Sequence, residues 1–324
     1  MCPRDATGSG PIITARFAKD VRPIRTSDQR LLNAVQRPEA YEEVVIRSAS
    51  SLIVLSVWRG QSTAPAVLFM PGTMTHPQFY EEFLDALNRA GLTVVGLHAT
   101  AHGKSPRVRR RLTFPTLVCN AQDALVWLTT TFPNAPPVVL GSSQGGVLAM
   151  ALATRVTGLA AVIAHNVLDP TLPDTLTVTR APAWLRPAYT PLMTALRLGG
   201  RLTPGLPVPF NAYLDMERVS RDASFAERFY TDPLGRHSSP LGVLTGMLDE
   251  DIAQPVSCPV LVVAASGDPL FSLNYTRQVF ARINAQSKEL LVVDSDEHLI
   301  FNTAIDLVLS ALLPRLRAMK PPTA

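Results

Sequence analysis

Val138-Val139-Leu140-Gly141-Ser142-Ser143-Gln144-Gly145-Gly146 runs a short apolar strand straight into a glycine-framed serine. The pattern is G-x-S-x-G, and a helical periodicity from Gln144 to about Val156 follows it. A serine at a strand-to-helix turn sits in a tight, strained backbone. Side chains at the flanking positions would collide, which accounts for Gly141 and Gly145. Ser143 then projects from the turn, beside a helix N-terminus whose unpaired N–H groups favour developing negative charge. The spacing selects Ser143 as the nucleophile and leaves Ser142 in the variable slot.

Outward from this segment the same rhythm repeats. Ala66 to Met70 reads as a strand, Phe79 to Ala90 as an amphipathic helix, Leu92 to Leu97 as a strand and Leu117 to Thr130 as a helix. Leu159 to Ala164, Pro259 to Ala264 and Leu290 to Val293 are further strands. Their nearly continuous Val, Ile and Leu predict burial on both faces, hence a mostly parallel central sheet with helices on both sides. Tyr41 to Gly60 reads as a hairpin preceding it. From about Asp169 to Ile252 the alternation stops. Short apolar segments there are separated by Pro187, Pro191, Pro204, Pro207 and Pro209, which predicts a helical cap inserted between two core strands. The expected organisation is a lead-in over 1–40, an α/β core over 41–168 and 253–324, and the cap over 169–252.

A serine nucleophile needs a base, and the base needs an orienting acid. Of the 6 histidines, His298 alone follows the last strand, and Asp268 lies just past the strand before it. In a doubly wound sheet both then share the carboxyl edge with Ser143. Asp268 is the predicted acid and His298 the predicted base. The oxyanion donors are predicted to be the backbone N–H groups of Gln144 and of Thr73, the latter in the loop Phe69-Met70-Pro71-Gly72-Thr73-Met74.

Those motifs together resemble the monoacylglycerol lipase and lysophospholipase branch of the α/β-hydrolases. Pro71 to Tyr80 resembles the loop H-G-x-x-x-H followed by an aromatic residue, and Ala101 to Pro106 resembles G-H-G-x-S-x. Val219-Ser220-Arg221-Asp222 with Tyr230-Thr231-Asp232-Pro233-Leu234 is similar to the cap-end pattern S-R-D…D-P-L. Gly267 to Phe271 and Glu297 to Phe301 resemble the acid and histidine loops. The likeness spans roughly Tyr41 to Leu316 and implies an α/β-hydrolase fold and ester hydrolysis through an acyl-enzyme. It implies a small-molecule ester substrate, and the apolar content of the cap suits an acyl chain. Three positions depart from the family pattern: Pro71 for histidine before the oxyanion glycine, Ser142 for histidine in the elbow, and Ala265 for glycine before the acid. The same triad also serves thioesterases, peptidases and carbon–carbon hydrolases, and the same fold serves non-catalytic binders of apolar ligands.

The bulk composition narrows the setting. With 324 residues, 47% of them hydrophobic and 17% charged, the chain can bury a large core. No apolar run reaches the roughly 20 residues of a membrane span, although peripheral membrane contact is compatible with the apolar cap. The start lacks a basic segment followed by an apolar one, so no secretory signal is visible and a cytoplasmic location is expected. The net charge of +4 includes one dense run, Arg107 and Arg109 to Arg111, which reads as a solvated loop. No nucleic-acid motif accompanies it, so no nucleic-acid partner is expected. The 3 cysteines, Cys2, Cys119 and Cys258, are far apart in the chain and read as incidental thiols, with neither a disulfide framework nor a metal site. No cofactor is expected, since the triad chemistry needs none.

Overall fold

The computed structural model of the protein describes residues 35–49, 51–107 and 112–319. Most of the expected lead-in and Arg109 to Arg111 lie outside the described residues. An N-terminal hairpin, β1 (Tyr41–Ser48) and β2 (Ser51–Trp58), precedes β3 (Ala66–Met70), α1 (Glu81–Arg89) and β4 (Thr93–His98). The alternation continues through α2 (Phe114–Thr131), β5 (Pro137–Ser142), α3 (Gln144–Ala153) and β6 (Ala161–His165). The helix expected from Leu117 begins at Phe114, because Pro115 sits in its first turn, where a missing N–H leaves no intrahelical bond unmade.

Between β6 and the next core strand the chain leaves the sheet. It forms α4 (Tyr189–Leu202), β7 (Pro207–Pro209), α5 (Met216–Val219), α6 (Ala223–Thr231), β8 (Ser238–Pro240) and α7 (Leu241–Met247), with short 3-10 turns between them. The core then resumes with β9 (Val260–Ala265), α8 (Leu273–Arg282), β10 (Lys288–Val293), α9 (Ile300–Thr303) and α10 (Ile305–Ala318).

The strands form an eight-stranded sheet in the order β1-β2-β4-β3-β5-β6-β9-β10, antiparallel across β1, β2 and β4 and parallel beyond. Strands β3, β4, β5, β6 and β9 are buried along their whole length, as their predominantly apolar sequences require. Strand order is what positions the site. β3 connects to β4 on one side of it, whereas β5 pairs with its other side and connects to β6 beyond. The loops after β3 and β5 therefore diverge in opposite directions and open a crevice at the carboxyl edge, where ligands bind in open α/β sheets.

The excursion between β6 and β9 has a small apolar cluster of its own, Leu176, Tyr189 and Met193. It also packs onto the core: Phe79 meets Phe229 at 5.0 Å and Phe225 at 6.3 Å between ring centroids. No helix among the described residues is long and apolar enough to cross a membrane. One cysteine departs from expectation. Cys258 is a free, buried thiol pushed up to about 11 by that burial, but Cys119 is disulfide-bonded.

Candidate active site

Ser143 follows β5 directly and has φ +53° and ψ −117°, a conformation that costs a side-chain-bearing residue about 1–3 kcal/mol. The surrounding glycines make it attainable. A Cβ on Gly141 would lie 1.9 Å from the Gly145 carbonyl oxygen, and one on Gly145 would lie 2.0 Å from the Met70 carbonyl oxygen. Gly146, which the motif leaves unconstrained, is equally confined: its Cβ would lie 2.5 Å from the His165 carbonyl oxygen. All three collisions are with backbone, which cannot swing away. Gly145→Ala is therefore expected to destabilise the protein by about 3 kcal/mol, at the upper end of overpacking costs, and to lower its thermal unfolding midpoint. An unchanged midpoint would contradict the tight elbow.

The Ser143 N–H donates to the His165 carbonyl at 2.8 Å, tying the end of β5 to the end of β6. On the other side, a Cβ on Gly72 would lie 3.5 Å from the Ser143 Cβ, so the loop after β3 closes on the serine as the strand order demands. Within that loop the Gly72 N–H donates to the Tyr80 hydroxyl at 3.2 Å, and the Thr75 hydroxyl and N–H both donate to the Gly72 carbonyl. Met74 takes φ +66° as the loop turns. Among the described residues no hydrogen bond engages the Thr73 N–H or the Gln144 N–H.

Asp268 and His298 stand past the ends of β9 and β10, and both are buried. His298 Nδ1 is 3.0 Å from Asp268 Oδ2, while the N–H groups of Leu270 and Phe271 each donate to Asp268 Oδ1 at 2.8 Å. Burial alone would raise the Asp268 carboxyl. The charge and hydrogen bond of His298, then His165 and the Phe271 N–H, outweigh it and hold the group below the usual carboxylate range. The His298 ring stacks on Phe271, with centroids 5.6 Å apart and planes at 14°, and also lies 5.6 Å from the His165 ring. His165 thus touches both the Ser143 backbone and the His298 ring. The fold gathers Ser143, Asp268 and His298 around it.

Two residues at this edge escaped the sequence reading. Asn166 donates through Nδ2 to Asp268 Oδ2 at 2.9 Å, and His165 lies 3.4 Å from the Ser142 hydroxyl through Nδ1. The only available signal was a polar His165-Asn166 pair ending an otherwise apolar strand. Of the remaining histidines, His76, His98 and His102 are buried elsewhere and His237 is exposed. His76 Nε2 meets Asp232 Oδ2 at 2.7 Å, joining the loop after β3 to the end of α6, and His98 Nε2 meets the Ser56 hydroxyl at 2.9 Å. Burial, then Arg236, pushes His102 down to about 4. No group of His, Cys, Asp and Glu that could hold a metal ion occurs among the described residues.

Residues 61–304 match the model of the Hydrolase_4 family, described as serine aminopeptidase, S33. The monoacylglycerol lipase of Mycolicibacterium smegmatis is 26% identical over 266 residues, covering 77% of this chain and 87% of the relative. The crystal structure of the Paleococcus ferrophilus monoacylglycerol lipase superposes with a TM-score of 0.66 at 19% identity, covering 82% of this chain and 98% of that one. A soluble variant of the Saccharomyces cerevisiae monoglyceride lipase, solved with a substrate analogue, also has a TM-score of 0.66, at 14% identity with 91% and 98% covered. With its α/β-hydrolase sheet and its family match on either side of the elbow, the chain belongs to the Hydrolase_4 (serine aminopeptidase, S33) family of hydrolases.

Proposed function

We propose that the protein is a serine carboxylic-ester hydrolase that works through an acyl-enzyme on lipid-like esters. The observation that carries this reading is the buried His298–Asp268 pair, 3.0 Å apart, at the sheet edge that also holds the strained Ser143. His298 Nε2 takes the proton of the Ser143 hydroxyl as its oxygen attacks the ester carbonyl. The N–H groups of Thr73 and Gln144 stabilise the resulting oxyanion, where one donor is typically worth on the order of 10²–10³ in rate. Collapse of the tetrahedral intermediate expels the alcohol, which receives the proton from His298. Water then attacks the acyl-enzyme with His298 again as base, releasing the acid and restoring Ser143.

Residues 169–252 are proposed to act as a cap over this edge. Their exposed apolar side chains, Trp184 at 75%, Leu198 at 56%, Leu202 at 70% and Leu206 at 52% exposed, suit an acyl chain or the lipid surface that delivers it. The similarity to monoacylglycerol lipases points the same way. A series of p-nitrophenyl esters from acetyl to palmitoyl, run beside monoacylglycerol, lysophospholipid and an aminoacyl p-nitroanilide, tests the assignment. Medium and long acyl esters are expected to exceed acetyl in kcat/KM by at least tenfold, since each buried methylene contributes about 0.8 kcal/mol. Turnover confined to the anilide would replace the esterase reading with a peptidase.

A further inference from the structure

We infer that Asn166 is a positioning residue of the acid–base pair, orienting Asp268 and through it the His298 imidazole, an assignment that rests on the triad proposed above. Asn166 directly follows β6, is fully buried and has φ +62°. Asparagine enters this left-handed region more readily than most residues with a side chain. Its side-chain amide reaches three groups at once. Nδ2 is 2.9 Å from Asp268 Oδ2, 2.7 Å from His165 Nε2 and 3.2 Å from His298 Nδ1.

The carboxylate dictates how that amide faces. Ionised Asp268 only accepts, so the NH₂ end of Asn166 must point at Oδ2; the opposite rotamer would set carbonyl oxygen against carboxylate oxygen. Asn166 Oδ1 is in consequence buried without a hydrogen-bond partner among the described residues. A polar atom left unpaired in the interior is a local cost, and here it accompanies a second donor delivered to Asp268. His165 completes the arrangement. Facing an amide N–H through Nε2, it presents a lone pair there and carries its proton on Nδ1, toward the Ser142 hydroxyl at 3.4 Å. Burial, followed by the neighbouring His298, pushes His165 down to about 3, which keeps it the neutral acceptor this network needs.

Asp268 therefore receives N–H donors on both oxygens: Leu270 and Phe271 on Oδ1, Asn166 and His298 on Oδ2. The first two fix the carboxylate against rotation. Asn166 closes the remaining side of Oδ2, so that His298 Nδ1–H has one direction in which to point and Nε2 is left with its lone pair for Ser143. The 3.2 Å separation from His298 Nδ1 adds a second consequence. A carboxylate placed at position 166 could hold the imidazole from the floor of the site in place of Asp268.

The test compares four full-length proteins on one p-nitrophenyl ester: wild type, Asn166→Gly, Asp268→Asn, and the double variant Asp268→Asn with Asn166→Asp. Glycine keeps the left-handed backbone accessible while deleting the amide. Asn166→Gly is expected to lower kcat roughly 10- to 100-fold, the scale of an ångström-sized misplacement, with KM within threefold. The double variant is expected to exceed Asp268→Asn in kcat by at least tenfold, a rescue that a merely structural asparagine would not produce. A kcat for Asn166→Gly within twofold of wild type, or a double variant no more active than Asp268→Asn, would overturn the inference. Failure of the triad assignment is distinguishable, because wild type itself would then neither turn over the ester nor react with a fluorophosphonate.

Discussion

Ser143→Ala is expected to lower kcat by on the order of 10⁶-fold while leaving the protein folded. The substitution removes one oxygen atom and keeps the Cβ that the elbow already accommodates at φ +53°, so the contacts of Gly141, Gly145 and Gly146 with the neighbouring backbone are unchanged. The substitution leaves untouched the Thr73 and Gln144 N–H groups proposed as oxyanion donors, so a residual acceleration on the order of 10³ over water is expected. A fluorophosphonate should phosphonylate the wild type at Ser143 and leave the variant unlabelled. Circular dichroism and the thermal midpoint of the two proteins should coincide. Activity within a hundredfold of wild type, or labelling of the variant at another residue, would remove Ser143 from the role of nucleophile.

Asp268→Asn should cost about 10⁴-fold in kcat, through the tautomer of His298 rather than through charge alone. Leu270 and Phe271 donate to Oδ1, so the asparagine would keep its carbonyl oxygen there and turn its NH₂ toward His298. The imidazole must then accept through Nδ1 and carry its proton on Nε2, where it faces Ser143 as a donor and cannot take the hydroxyl proton. Stopped-flow or steady-state kinetics of p-nitrophenyl ester hydrolysis measures the loss. A deficit under tenfold would show that another group holds the imidazole. The pH dependence follows from the sign of the shift. Asp268 is depressed in the folded protein, so its contribution to stability is fully present above the ordinary carboxylate range near 4 and fades as pH falls through its lower folded value. Acid unfolding of Asp268→Asn should accordingly be less steep with pH than that of wild type.

Much of this was legible beforehand because it is local. Continuous Val, Ile and Leu can only be strands buried on both faces, and β3, β5 and β9 lie within two residues of where those runs placed them. The elbow was equally readable, since Gly141 and Gly145 flank a serine for a steric reason that a short stretch of chain contains. Gly146 was not, because the carbonyl it must clear belongs to His165 on another strand.

The order Ser143, Asp268, His298 along the chain, each just past a strand, was enough to nominate the triad, because in a parallel sheet every strand end of one sense lies on one edge. Sequence order could not say which loops meet across that edge. Strand order did: β3 and β5 are neighbours whose connections diverge, and this brings Gly72 against Ser143. Nor could the chain announce the part of His165 and Asn166. A hydrogen bond from Asn166 to Asp268 spans 102 residues and depends on β6 and β9 being adjacent. Patterns of burial and turn chemistry are written in consecutive residues, whereas the partners of a side-chain amide are chosen by packing between strands that the chain visits far apart.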